Sequence, residues 1–337
     1  MKKLTKVLLI TVIVLLALLA VAISATIGWR PILGPSARPA TARSFERTPQ
    51  RLQRGQYLAN AVSGCLFCHS EHDWASPGEP IVAGTEGAGQ IAPYAGLPGR
   101  IVAANITPDR ETGLGNWSDD EIARAIREGV DRDGGTLFPL MPYEKFRNMS
   151  DEDVASVVVY LRSLPAVRHE LPKTEVIFPV RYLIRNAPQP LTAAVTSPSP
   201  SDRLAWGTYL TTITGCDDCH TSREKGQVVP GMNFAGGIVF QDPAGQAASA
   251  NITPDASGIA YYNEDLFLKM MRTGFVQARK INPVMPYTLY GKMTDDDLKA
   301  IFGYLRTLKP VHHRVDNSLP PTYCKLCRQK HGAGDQN

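Results

Sequence analysis

The sequence predicts an all-α fold in which two tandem, homologous helical domains follow an N-terminal transmembrane helix. Residues 7–29 run without a charge, which is long enough for a bilayer core that needs roughly 20 apolar residues. From about residue 49 the chain repeats itself. RGQYLANAVSGCLFCHS (54–70) returns as WGTYLTTITGCDDCHTS (206–222), ANITPD (104–109) as ANITPD (250–255), and LMPYEKFRNMSDEDV (140–154) as VMPYTLYGKMTDDDL (284–298), at offsets between 144 and 152 residues. Order and spacing both survive, as an internal duplication requires. Within each repeat the apolar residues fall at helical spacing, with no alternating strand pattern of any length.

From the start of the chain, Lys2, Lys3 and Lys6 precede the apolar run. The positive-inside rule keeps them cytoplasmic and sends the rest across the membrane. Residues 1–29 are therefore read as a transmembrane anchor or an uncleaved signal. A cleaved signal peptide competes, since small residues such as Ala20 and Ala22 suit a peptidase, but the run exceeds the usual core of about 7–15 residues. Residues 30–48, rich in Pro, Arg, Ser and Thr, read as a tether. Residues 49–166 form the first domain and 201–312 the second. Between them 167–200 is a linker; six prolines fall in 168–200, and FPVRYLIRN (178–186) predicts a helical turn tucked against a domain. Residues 313–337 are a tail. With 43% hydrophobic and 20% charged residues the 337-residue chain is ordinary globular material. A net charge of +4 without a basic block beyond the first residues excludes nucleic acid as a partner.

Local signals place the helices. Ser118 and Glu121 form a capping box opening EIARAIREG. Ser150 and Thr294 cap the last helix of each domain ahead of acidic first turns. In those helices Val154, Val157, Val158 and Leu161 match Leu298, Ile301, Phe302 and Leu305, one buried stripe apiece. Gly-rich stretches such as VAGTEGAGQ (82–90) predict irregular loops between them.

The chemistry lies in CLFCH (65–69) and CDDCH (216–220). Two thiols three residues apart share one side of a helical turn, where each can form a thioether with a haem vinyl group, and the next His can bind the iron. Zinc would call for a second ligand pair at finger spacing and a thioredoxin-like motif for a βαβ context. Neither surrounds these motifs. Cys65, Cys68 and His69, and Cys216, Cys219 and His220, thus predict two covalently bound haem c groups.

A sixth iron ligand separates carriers from catalysts. Two methionine pairs recur in register. Met149 and Met293 directly precede the helix caps, where a hydrophobic staple explains them. Met141 and Met285 lie in loops, each followed by Pro-Tyr, with the thioether free to face a haem. The latter pair is expected to complete the iron sites, while Met232, Met270 and Met271 are expected in the core.

By CxxCH, ANITPD, MPY and the closing YLRSLP (160–165) and YLRTLK (304–309), the chain resembles the tandem class I cytochrome c proteins found as electron-transfer subunits beside membrane-bound dehydrogenases. The resemblance covers about residues 49–312. It implies helical globules with His69 and Met141 on one iron and His220 and Met285 on the other. It also implies that Gly55 faces Tyr160 and Gly207 faces Tyr304 where the first and last helices cross, and that Pro80 and Pro230 accept the hydrogen bond of each haem His. Asn105 and Asn251 would order a loop near the haem propionates. His72, His169, His312 and His313 find no repeat partners and read as surface or linker residues.

In the tail, Cys324 and Cys327 are followed by Arg328 and the next His is His331, so the CxxCH geometry is lost. A local disulfide and a Cys/Cys/His metal site both stay open, with His312 or His313 able to reach as a fourth ligand. The expected function is a relay of electrons from a dehydrogenase or a quinol-oxidising complex to another cytochrome or an oxidase. The chain would sit in a bacterial inner membrane as a single-pass protein, N-terminus cytoplasmic and haem domains in the periplasm. A dihaem peroxidase is the enzymatic alternative and would need an open iron. A thiol or metal sensor working through the tail is the other.

Overall fold

The computed structural model describes residues 2–337 apart from 75, 77, 94, 95, 225, 243 and 244. Helix α1 (Lys2–Thr26) contains one stretch, Lys3–Ala25, whose most apolar 18 residues have a mean hydropathy of 3.2 and are not buried. It is long and apolar enough to cross a membrane. Gly28 ends it in the left-handed region at φ 71°, where its N–H reaches back to the Ile23 carbonyl at 2.8 Å. The one-turn helix α2 (Arg30–Leu33) follows.

The first repeat opens with α3 (Pro49–Tyr57), capped by the Thr48 hydroxyl with Pro49 in its first turn. A wider turn, Leu58–Val62, continues it. Then come α4 (Cys65–Cys68), α5 (Asp119–Glu128), α6 (Tyr143–Phe146) and α7 (Asp151–Ser163). The linker contributes α8 (Val180–Leu183). The second repeat runs through α9 (Arg203–Ile213), α10 (Cys216–His220), α11 (Glu264–Thr273), α12 (Tyr287–Tyr290) and α13 (Asp295–Leu305). The Ser118–Glu121 capping box and the Ser150 and Thr294 caps are all formed.

Helices dominate, and the loops add short antiparallel strand pairs that the sequence did not predict. The longest joins Val239–Asp242 to Gly245–Ala248, and most others are two residues long. Strands that short show no alternation to read.

One continuous core joins the repeats, with Leu58, Ile126 and Val158 on one side and Leu210, Phe267 and Ile301 on the other. Met149 and Met293, each 1% exposed, belong to it, as does Val154 or Leu298 beside them, in keeping with a packing role. In each repeat the first and last helices cross at a glycine. A Cβ on Gly55 would lie 1.9 Å from the Ser156 carbonyl oxygen and 2.8 Å from the Tyr160 Cβ. On Gly207 it would lie 2.0 Å from the Ala300 oxygen and 3.2 Å from the Tyr304 Cβ. Only hydrogen fits either place.

Across the seam the repeats cap each other. The Tyr57 hydroxyl donates to Asp297 Oδ2 at 2.5 Å and accepts from the Thr294 N–H at the start of α13. Tyr209, its equivalent, donates to Asp153 Oδ2 at 2.6 Å and accepts from the Ser150 N–H at the start of α7.

Three expectations need correction. Residues 38–45 do not hang free as a tether: Arg38 pairs with Asp120 and Glu128, and the Thr41 and Phe45 N–H groups donate to Asp120 and Asp119. The linker turn does not pack on a domain alone: Arg185 donates to the Pro31 carbonyl of α2 and Asn186 to that of Ile27, while Arg181, Ile184 and Arg185 line the same space as His69 and Met141 of the first repeat. His72 and His313 are buried, at 8% and 0% exposure. His72 holds its loop through the Glu79 and Phe67 carbonyls.

Candidate haem-binding site

Each CxxCH motif begins at a glycine in the left-handed region, Gly64 at φ 64° and Gly215 at φ 68°. That turn swings the chain out of the preceding helix into a single helical turn, so the two cysteines share a face. Ser63 lies 3.4 Å from the Cys65 sulfur and Thr214, its equivalent, 3.1 Å from that of Cys216. Burial raises the pKa of all four thiols: Cys68 and Cys216 to about 11 and Cys219 to about 12. They are protonated at neutral pH and correspondingly unreactive as free thiolates. Cys68 and Cys219 are nonetheless accessible to water, because they line a cavity that is open to solvent.

That cavity measures about 2020 Å³, and Cys65, Cys68, His69 and Met141 all line it. Cys219 and Tyr290 of the second repeat line the same space. Tyr290 donates to the Thr214 carbonyl at 3.0 Å. Burial pushes its phenol well above its ordinary pKa, and charge on Cys216, Cys219 and Cys68 would add to the shift, so it stands among the thiols of both motifs.

The two histidines are oriented alike. His69 Nδ1 meets the Ala104 carbonyl at 2.6 Å and His220 Nδ1 meets that of Ala250 at 2.7 Å. A carbonyl only accepts, so Nδ1 carries the proton and Nε2 keeps its lone pair for a metal. Burial lowers both pKa values and favours the neutral imidazole. The carbonyl acceptors expected at Pro80 and Pro230 are not used. Pro80 takes the Asp73 N–H instead, and the true partners are the alanines that open the two ANITPD segments.

The asparagines of those segments hold the carbonyls in place. Asn105 accepts from the Thr107 N–H and donates to the Val167 carbonyl, and Asn251 does the same with Thr253 and Val311. Both are buried at 3% exposure. They clamp the histidine's loop to the chain leaving the last helix. His169 and His313 are also equivalents after all: each follows its clamped valine by two residues and turns Nδ1 to the matching carbonyl, Ala88 at 3.1 Å and Ala235 at 2.7 Å. The two stand at the same offset of 144 residues that relates the MPY loops and the last helices, so the pairing lay in plain register in the sequence.

The two MPY turns share one geometry. The Met141 N–H donates to the Phe138 carbonyl and the Met285 N–H to that of Asn282, and each tyrosine N–H returns to its methionine carbonyl. The tyrosine rings then cover the glycines that end α5 and α11: a Cβ on Gly129 or Gly274 would sit 2.6 Å from the Tyr143 or Tyr287 ring. Both methionines are half-buried beside the core. Met141 lines the cavity with Cys65, Cys68 and His69. Met285 is flanked by Val284 and Pro286, which line that cavity too.

A thiol pair, a neutral imidazole with Nε2 available, a thioether and a large cavity suit a covalently held haem. A group pinned by two thioethers needs both sulfurs on one face, as α4 and α10 provide. The tail cysteines lie apart, packed with Val229, Met232 and Ala235.

No protein-family model matches the chain. It is 32% identical over 83% of its length to a nicotinate dehydrogenase subunit of Pseudomonas putida, of which it covers 23%. It is 29% identical over 77% of its length to the cytochrome c subunit of an alcohol dehydrogenase (quinone) of Gluconobacter oxydans, covering 55% of it. With a diheme cytochrome c-type protein of Cereibacter sphaeroides it shares 27% identity over 74% of the chain and 83% of that protein. The chain spans only about a quarter and about half of the first two. It resembles cytochrome c subunits of dehydrogenases and a dihaem cytochrome c, and covalently bound haem c is the cofactor its motifs serve.

Proposed function

We propose that the chain is a membrane-anchored dihaem c-type cytochrome that relays electrons and performs no substrate chemistry of its own. Residues 49–166 and 201–312 would each form one haem domain. Cys65, Cys68, His69 and Met141 would hold the first haem, and Cys216, Cys219, His220 and Met285 the second. Bound haem c would supply a one-electron iron couple, with a potential raised by His/Met ligation. The chain's own part is to fix each imidazole through a backbone carbonyl and present the thioether from a stiff turn.

The observation that carries the reading is the repetition of one ligand device in both halves, Nδ1 pinned to the alanine of ANITPD and an MPY turn after it. The shared cavity adds a second point: Cys68 and Cys219 face a common space beside Tyr290, so electrons would pass between the haems inside the chain. The apolar helix α1 would anchor the protein in a bacterial inner membrane with Lys2, Lys3 and Lys6 cytoplasmic and the haem domains periplasmic. Electrons would come from a dehydrogenase, as the relatives' names suggest, or from a quinol-oxidising complex, and leave to another cytochrome or an oxidase.

A pyridine haemochrome assay on the full chain should give two haem c per polypeptide. The near-infrared band of sulfur-to-iron charge transfer should halve in Met141→Ala and vanish when Met285→Ala is added. An unchanged band would remove both methionines from the iron sites.

A further inference from the structure

Residues after α13 fold back as a hairpin, Pro321–Tyr323 against Lys330–Gly332, whose connection carries Cys324 and Cys327. Four side chains meet beneath it. His313, Cys324 and Cys327 are 0% exposed and His331 is 2% exposed, and their nitrogen and sulfur atoms all lie within 4.8 Å of one another. Nothing in the haem reading uses them.

The orientation of the two imidazoles is the telling feature. His313 Nδ1 faces the Ala235 carbonyl at 2.7 Å and His331 Nδ1 faces that of Gly332 at 2.9 Å. Both Nδ1 atoms therefore carry the protons, and the two Nε2 lone pairs confront each other at 3.2 Å. The Cys324 sulfur lies 3.4 Å from His313 Nε2. Two lone pairs at that separation in a buried space repel unless a cation stands between them. A disulfide between Cys324 and Cys327 would consume both thiols and leave that repulsion in place. A proton shared by the imidazoles would satisfy one nitrogen pair and give the convergent thiols no role.

We propose that His313, Cys324, Cys327 and His331 form a closed, structural zinc site. Zinc bonds of about 2.0–2.3 Å in a tetrahedron set ligand atoms roughly 3.3–3.8 Å apart, close to the spacings present. Binding deprotonates both thiols and releases two protons, so Zn²⁺ with two thiolates and two neutral imidazoles is a neutral unit that burial tolerates. Four protein ligands leave no open position for catalysis, and zinc has no redox couple to divert electrons.

The site also explains its neighbours. A Cβ on Gly237, at φ 92°, would come within 2.8 Å of the His313 ring and 3.0 Å of the Cys327 sulfur. Ala235, which accepts from His313, adjoins Gly236, whose N–H donates to the His220 carbonyl at 2.8 Å. Zinc would thus lock the tail onto the loop behind the second haem's histidine. In the first repeat His169 makes the same carbonyl contact, but its Nε2 lies 3.8 Å from Glu71 Oε1 instead of facing a second histidine, and no comparable group of four ligands gathers around it among the described residues.

The test is zinc analysis of the purified full chain with both haems, by mass spectrometry of metals and absorption at the zinc edge. We expect one zinc per chain that survives gel filtration in chelator, with two sulfur and two nitrogen neighbours. Cys324→Ser and His331→Ala should each cut it to near zero. Should a variant fail to fold, the wild-type stoichiometry and edge spectrum still decide. Less than about a tenth of a zinc per chain, with Cys324 and Cys327 either disulfide-bonded or free in alkylation mass spectra, would overturn the proposal. So would iron beyond the haems, or zinc surrounded by other ligands.

Discussion

At the start of the last helix, the two repeats use the same aspartate differently. In the first, Asp153 receives two hydrogen bonds from the Arg54 guanidinium, at 2.8 and 2.9 Å. In the second, Asp297 receives the indole N–H of Trp206 at 2.6 Å. Trp206 occupies the position of Arg54 one repeat later, and the Arg54 guanidinium lies 5.5 Å from the centre of its ring. The residue that diverged in one repeat has become a surface for its counterpart in the other. Features built on backbone have not diverged: the crossing glycines, the left-handed glycines before the motifs and the carbonyl under each histidine occur twice. Backbone geometry leaves few substitutes, whereas a buried carboxylate accepts any good donor. The seam could therefore specialise while the cofactor sites stayed alike.

The largest effect should follow from breaking what the repeats share. Gly55→Ala and Gly207→Ala each force a methyl group against a carbonyl oxygen 1.9 or 2.0 Å away, so the helices must part. Overpacking of this kind costs about 3 kcal/mol, and both variants should lose a similar amount in denaturant midpoints. A loss below about 1 kcal/mol in either would sink the crossing geometry for that repeat.

A smaller pair of effects should expose what the repeats do not share. Asp153→Asn leaves Arg54, 28% exposed, without its counter-charge, and should cost about 2 kcal/mol, below the range for a fully buried pair. Asp297→Asn keeps an acceptor for one of its two neutral donors and should cost about 1 kcal/mol. Denaturation of the two variants side by side checks the asymmetry. Equal losses would mean that the charge on Arg54 contributes nothing to the seam.

The division between shared and divergent features also marks what could be read from the sequence. CxxCH, the caps and the helix stripes are local, so residue type and spacing revealed them. The crossing at Gly55 and Gly207 followed from family resemblance, since a glycine alone does not say what passes over it. The acceptors at Ala104 and Ala250 use a carbonyl that every residue possesses, and their only trace was the verbatim return of ANITPD. Tyr57, Tyr209 and the aspartates they reach also recurred in register, but a contact between repeats leaves no spacing to measure. His313 was legible only in part: it stood as a candidate fourth ligand for the tail cysteines, while its likeness to His169, at the same offset of 144 as the MPY loops, was missed because both lie beyond the last helix, where no motif marks a histidine.

The strap over the first repeat offers the finest test, because the second repeat lacks it. Asp120 is held by Arg38 and by the Thr41 N–H and hydroxyl, while Glu264 and Asp265 at the start of α11 stand exposed. Burial alone would raise the Asp120 pKa; the bonds from Arg38 and Thr41 outweigh it and bring the value down to about 2. A depressed carboxylate stabilises the fold above its unfolded pKa near 3.9, and that contribution is lost as pH falls through about 2. Arg38→Ala should therefore cost about 1–2 kcal/mol near neutral pH, and its deficit against wild type should shrink as pH falls from 4 towards 2. Trypsin should cut sooner at Arg43 and Arg47 in the variant at pH 7, while cleavage within the second repeat keeps its rate. A deficit of the same size at pH 3 as at pH 7 would show that the strap is held by something other than the Asp120 charge.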